Sequence, residues 1–334
     1  NPYYVPIEPG DPGTQRVAFT YDGFLTNQRD TTLDEWGITP NITADLGASW
    51  QVRAMANVGQ STVRFNLPVV NNAAQTLALA ATSREGALNP YDIGATNPAV
   101  LRGIFAREDD RGRQNLFNPR VILDGPVFAL PGGDVRIAAG SEYIRTTLDS
   151  TISSPNRFGR AITNRNVKAV FGELNIPLFG ADNARPGIEA LSFAASARYD
   201  KYSDFGDTFN PKLGLTYRPL TWVSIRGNWG TSFNAPNLTD TQGGASDTRA
   251  ILLPTSAAFL DPTECPRGVC PNPRNPNRPT IVIAGGNGNL GPQEAETWSI
   301  GTDIDVPFAP GLRVSGTYYN VRIKNLIQIV PIFT

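Results

Sequence analysis

The segment Thr221-Trp222-Val223-Ser224-Ile225-Arg226-Gly227-Asn228-Trp229-Gly230-Thr231-Ser232-Phe233 decides the fold class. Val223, Ile225, Gly227, Trp229 and Phe233 take one set of alternate positions, and Ser224, Arg226, Asn228 and Ser232 take the other. A period of two means a strand with two unlike faces. The same alternation runs through Trp298, Ile300, Thr302, Ile304 and Val306, through Leu191, Phe193, Ala195, Ala197 and Tyr199, and through Leu213, Leu215 and Tyr217. It recurs in Trp50, Val52, Ala54, Ala56 and Val58 against Gln51, Arg53, Met55 and Asn57. Around Phe171, Glu173, Leu174 and Ile176 the apolar phase slips, which predicts a β-bulge there. The runs reach about 9–13 residues, where globular strands average about 5–6 and membrane-spanning strands about 9–11.

Outward from these runs the sequence predicts about 11 strands: 16–25, 34–46, 49–60, 113–129, 133–147, 163–178, 188–201, 208–218, 220–233, 293–306 and 311–326. Short connections fall at 46–49, 130–133, 179–187, 218–220 and 307–311. Between them lie 26–33, 61–112, 148–162, 202–207 and 234–292, most of them long. Short turns at one end and long loops at the other are the pattern of a transmembrane antiparallel β-barrel, with its turns periplasmic and its loops extracellular. Trp50, Tyr217, Trp222 and Phe128 beside the short turns, and Trp229, Phe233 and Tyr199 near the other ends, suit two interfacial girdles.

Composition sets limits. The net charge is −1 and 18% of residues are charged, so no nucleic-acid partner is expected. No run of about 18 apolar residues exists, which excludes a helical membrane span. There is no histidine, which removes the commonest general base and metal ligand, and no cofactor or catalytic residue is assigned. Cys265 and Cys270, in Cys265-Pro266-Arg267-Gly268-Val269-Cys270, read as a local disulfide of an oxidising compartment, since a metal site would need two further ligands. Asn1-Pro2-Tyr3-Tyr4 has no signal-peptide character, so the chain is expected to be mature or truncated. Gly285-Gly286-Asn287-Gly288-Asn289 lacks the Lys-Ser/Thr of a phosphate cradle.

Several stretches resemble the TonB-dependent receptors, gated transporters of the Gram-negative outer membrane. One is Arg198-Tyr199-Asp200-Lys201-Tyr202-Ser203-Asp204-Phe205-Gly206 followed by Phe209-Asn210-Pro211-Lys212-Leu213-Gly214-Leu215. It continues into Ile225–Pro236, with Asn234 where the family usually has Arg. Asn289–Gly301, Val314–Ile327 and Phe171–Leu178 are similar to further family strands. The resemblance implies a barrel of about 22 strands around a plug. This chain then supplies an incomplete one: a plug-to-barrel linker at 1–15 and a partial barrel at 16–334.

The same resemblance implies energised uptake of a bulky nutrient such as a siderophore, a cobalamin or an oligosaccharide. Implied partners are outer-membrane lipids, a small-molecule or glycan ligand, and the TonB complex acting through a segment absent here. Arg198, Arg226, Lys212, Arg218, Asp303 and Asp305 are expected on the lumen side, as plug contacts or a solvated lining. The loops 61–112 and 234–292 are the ligand-contact candidates, with Arg107, Arg111, Arg113 and Arg249 for an anionic ligand and Tyr91, Phe105 and Phe259 for a planar one. Pro98–Phe105 is expected to form a short helix capped by Asn97. The alternatives are a passive porin, a barrel enzyme such as a lipase or protease with its catalytic residues elsewhere, and a secreted β-sandwich or adhesin.

Overall fold

A computed structural model describes residues 1–5, 17–25, 28–241, 244–254 and 277–328, with side chains omitted at 244–254 and 277–285. Eleven strands form one antiparallel sheet: β1 (Asp30–Ile38), β2 (Asn41–Gly47), β3 (Trp50–Val70), β4 (Phe105–Leu130), β5 (Gly133–Ser154), β6 (Arg157–Phe179), β7 (Ala190–Tyr202), β8 (Gly206–Leu220), β9 (Val223–Asn234), β12 (Gln293–Asp305) and β13 (Arg313–Lys324). A separate hairpin pairs β10 (Gly244–Pro254) with β11 (Asn277–Gly286). Neighbours in sequence are neighbours in the sheet, with β12 beside β9 and with β1 and β2 both paired to β3. Pro40, which has no N–H to give to the ladder, falls in the break between β1 and β2.

The chain divides into two compact units. One comprises Asn1–Thr39, Asn57–Phe117 and Arg145–Asn164, the other Pro40–Ala56, Asn118–Ile144 and Arg165–Thr334.

In the second unit the register sorts residues onto two faces. Leu213, Trp229 and Trp298 lie opposite one another across β8, β9 and β12, as do Leu215, Gly227, Ile300 and Tyr318 across β8, β9, β12 and β13. The other face carries Thr216, Arg226 and Gly301, then Gly214, Asn228 and Ser299. On the first face Leu213, Leu215, Ile300 and Tyr318 are exposed apolar side chains. A sheet in water would bury such a face.

In the first unit a helical cap sits between β3 and β4. It is built from α1 (Asn72–Ala80), a 3-10 turn (Ile93–Ala95) and α2 (Pro98–Ile104). Its core is Ala78, Leu88, Ile93, Leu101 and Ile104, against which Phe19, Tyr21 and Phe105 pack. Each buried Leu or Ile contributes about 1.5–3 kcal/mol, enough to order a short loop.

Several expected boundaries are corrected. Residues 17–20 form no strand, and the count of eleven is reached because Pro40 splits the strand expected at 34–46. The connection expected at 61–112 is only 71–104, and 148–162 shrinks to a two-residue turn at 155–156. The strands run on because the faces exchange character. In β1 and β3, Ile38 faces Val58 and Trp36 faces Gln60, then Asp34 faces Thr62 and Asp30 faces Asn66. On the reverse side Leu33 faces Val63 and Thr31 faces Phe65. A reading that follows one apolar phase stops where that phase inverts. The bulge expected at 171–176 lies instead between Pro177 and Phe179; the ladder from Phe171 to Ile176 is regular.

Candidate functional site

Three constellations stand out, one in the first unit and two in the second. In the cap, Asn71 accepts from the Ala74 amide at 3.1 Å, and Asn97 accepts from the Ala99 amide at 2.9 Å while donating to the Glu85 carbonyl at 2.9 Å. Asn97 thus caps α2 as its sequence position predicts. Asn89 accepts from the Tyr91 and Asp92 amides, and its own N–H donates to the Thr96 hydroxyl at 3.0 Å. At the tip of the β5–β6 hairpin, Asn156 donates to the Val70 carbonyl and accepts from the Asn72 amide. Asn1 donates its side-chain amide to the carbonyls of Leu79 at 3.0 Å and Leu88 at 3.1 Å. Tyr21 packs edge-on to Phe19 and Phe105, and burial pushes its hydroxyl pKa up. The Glu85 carboxyl is held below its ordinary range by its own backbone N–H and the Ser83 hydroxyl. The cap is therefore a preformed platform, with Leu77 and Tyr91 on its surface.

On the Arg226 face of the second unit, Glu142 is buried beneath two arginines. It accepts from Arg120 at 2.5 Å, Arg198 at 2.7 Å and Asn118 at 2.9 Å. Arg198 also donates to Asp200, which is 1% exposed, at 2.8 Å. Its guanidinium lies over the Phe171 ring, which in turn occupies the space above Gly140. Farther along the same face Arg226 pairs with Asp303 at 2.7 Å, and Arg53 and Arg136 share Asp124. A groove of about 400 Å³ is lined by Glu173, Ser196, Lys212, Asn228, Thr297 and Ser299, among others.

The third constellation is at the β7–β8 hairpin. Tyr202 stacks on Phe205 at 4.3 Å, Arg165 lies over both rings, and its guanidinium bonds Asp204 at 2.5 Å. Gly206, at φ +105°, turns the chain where an L side chain would be strained. These residues hold a hairpin together, and they present no reactive geometry.

In the second unit, a sheet with an exposed apolar face and an opposite polar, ion-paired face suits a wall between lipid and an aqueous interior. The family described as "TonB dependent receptor-like, beta-barrel" matches residues 2–334. The chain belongs to this family. It is a bacterial outer-membrane β-barrel chain, and its described residues include one eleven-stranded antiparallel sheet. Among solved structures it is similar to the RagAB peptide transporter (14% identity over 92% of this chain and 33% of that chain, TM-score 0.52). It is also similar to the RagAB peptide importer in the "closed-closed" state (13% identity, 91% and 32%, TM-score 0.51). The siderophore receptor PirA from Pseudomonas aeruginosa matches with a TM-score of 0.44 at 15% identity, over 87% of this chain and 46% of that chain. The chain thus spans about a third to a half of the length of these structures. No curated protein matches it.

Within the receptor barrel the sequence-derived candidates separate. Tyr91 is on the cap and 52% exposed. Phe105 is the first residue of β4 and packs the cap core, so it is not a free stacking surface. Arg107, Arg111 and Arg113 are on β4 and not in a loop; Arg107 is tied to Asp30 at 2.9 Å and to Asn66. Arg249 lies on β10, where only the backbone is described, while Phe259, Cys265 and Cys270 lie outside the described residues. Of the expected linker 1–15, residues 6–15 are outside the description as well, and Asn1 bonds the cap. Sequence reasoning missed Glu142 and Arg120. Glu142 sits in the uninformative run Gly140-Ser141-Glu142-Tyr143, and its partners are 22 and 56 residues away.

Proposed function

We propose that this chain is wall and outer loops of a gated outer-membrane receptor that takes up a bulky nutrient by an energised mechanism. The 71–104 cap faces the outside and meets the ligand, and so does the 235–292 connection. Tyr91 and the cap surface are the contact candidates. Arg120, Glu142, Arg198 and Arg226 line the interior, and a plug engaged by the TonB complex fills it. Candidate ligands are a siderophore, a cobalamin, an oligosaccharide or, by likeness to the RagAB structures, a peptide.

The observation that carries this reading is the folded cap. A passive pore gains nothing from a loop with its own buried core and three side-chain caps, whereas a receptor gains a preorganised surface.

The test replaces residues 73–103 of the complete receptor by a Gly-Ser linker. Cells are then grown with a ferric siderophore, cobalamin, a glycan or a peptide as the limiting nutrient. The wild type is expected to support growth on one of them, and the capless receptor, present in the outer membrane in equal amount, is expected not to. Undiminished uptake by the capless receptor, or uptake indifferent to collapse of the inner-membrane proton gradient, contradicts the proposal. Orientation is read separately: Leu77→Cys is expected to react with an impermeant maleimide on intact cells.

A further inference from the structure

Where the exposed apolar face ends, the next rung of the sheet is polar. Across β6, β7 and β8, Val170, Tyr199 and Phe209 stand opposite one another, and the following rung on that face is Lys168, Lys201 and Asp207. Across β9, β12 and β13 the aromatic rung Trp229 and Trp298 gives way to Thr231, Glu296 and Arg322, then Phe233, Glu294 and Lys324. The Trp229 indole donates to Glu296 at 3.0 Å, as a ring at a membrane–water boundary does with its polar tip.

The two boundary segments differ in one respect. On β12 and β13 each cation has a carboxylate directly opposite, Arg322 against Glu296 and Lys324 against Glu294. On β6 and β7 the directly opposite pair is Lys168 and Lys201, two like charges where a cross-strand pair is normally complementary. Both lysines are exposed, and neither forms an ion pair among the described residues. Asp207 stands opposite Lys201 on its other flank, but its carboxylate accepts from the Tyr199 hydroxyl at 3.1 Å, and one carboxylate does not balance two ammonium groups. The pair sits one rung beyond Val170 and Tyr199, where the exposed apolar face ends.

We infer that Lys168 and Lys201 clamp a phosphate of an anionic lipid, with the acyl chains lying along Val170, Tyr199 and Phe209. Two ammonium groups across one strand pair, with apolar side chains directly below, match a phosphorylated glycolipid of the outer leaflet. The choice of leaflet rests on the proposed outward orientation of the long connections, and a failure of that reading appears in the Leu77→Cys labelling, independently of the measurement that follows.

The receptor, purified from outer membranes in a non-ionic detergent, is titrated with diphosphoryl lipid A and followed by native mass spectrometry. K168Q/K201Q is expected to lose at least tenfold in lipid affinity, and K168R/K201R to retain wild-type binding. Dephosphorylated lipid A is expected to bind the wild type no better than lipid A binds the Gln variant. Heat-modifiable gel mobility confirms that each variant is a folded barrel. Equal binding by K168Q/K201Q and wild type overturns the inference, as does displacement of lipid A by inorganic phosphate alone, which would assign the pair to a soluble anion.

Discussion

At the scale of single residues, two features carry measurable energy. The turn between β2 and β3 places Ala48 at φ 48° and Ser49 at φ 61°, both in the left-handed region. That is the geometry of a two-residue hairpin turn that Asn-Gly fills without strain. Ala48→Asn with Ser49→Gly is expected to stabilise the barrel by about 1–2 kcal/mol, read as a higher urea midpoint in lipid vesicles; an unchanged or lower midpoint would refute the strain. Glu142 makes the opposite case. Glu142→Gln leaves Arg120 and Arg198 without their shared carboxylate, and breaking a fully buried pair costs about 3–5 kcal/mol. Both arginines are about a third exposed, so a loss of about 2 kcal/mol is expected. Restored stability in Glu142→Gln combined with Arg120→Leu would show that the cost comes from unpaired charge.

At the scale of elements, the cap and the strands behave as separable parts. Asn97→Ala removes both the α2 cap and the bond to the Glu85 carbonyl. Amide exchange across residues 99–104 is expected to accelerate about 5- to 30-fold, corresponding to about 1–2 kcal/mol, while the urea midpoint of the strands stays unchanged. A fall in that midpoint would mean that cap and strands unfold together. The sequence was most legible where one physical rule held along an element. β7, β8, β9 and β12 keep one apolar phase until their polar end rungs, and their boundaries agree with expectation to within three residues. β3 was cut short because its alternation inverts: Val58 and Val63 are both apolar but lie on opposite faces. The α2 helix was legible because an Asn-Pro start is local chemistry. The Glu142 cluster was not, because it is assembled from β4, β5 and β7, and one sequence carries no sign of such pairing. The family-specific run Arg198–Gly206 turns out to serve the Glu142 cluster through Arg198 and Asp200 and the hairpin through Asp204 and Gly206, so recognising the family located architecture and left the ligand site open.

At the scale of the whole molecule, the central claim is that the face bearing Trp298 and Ile300 meets lipid and the face bearing Ser299 and Gly301 meets the aqueous interior. Single spin labels placed from Thr297 to Asp303 in the complete receptor, with Cys265 and Cys270 replaced by Ser and the protein in lipid vesicles, measure this directly. Accessibility to oxygen, which partitions into lipid, is predicted to peak at positions 298, 300 and 302. Accessibility to a polar nickel chelate is predicted to peak at 299, 301 and 303. A flat profile, or the two reagents peaking at the same positions, would contradict the account.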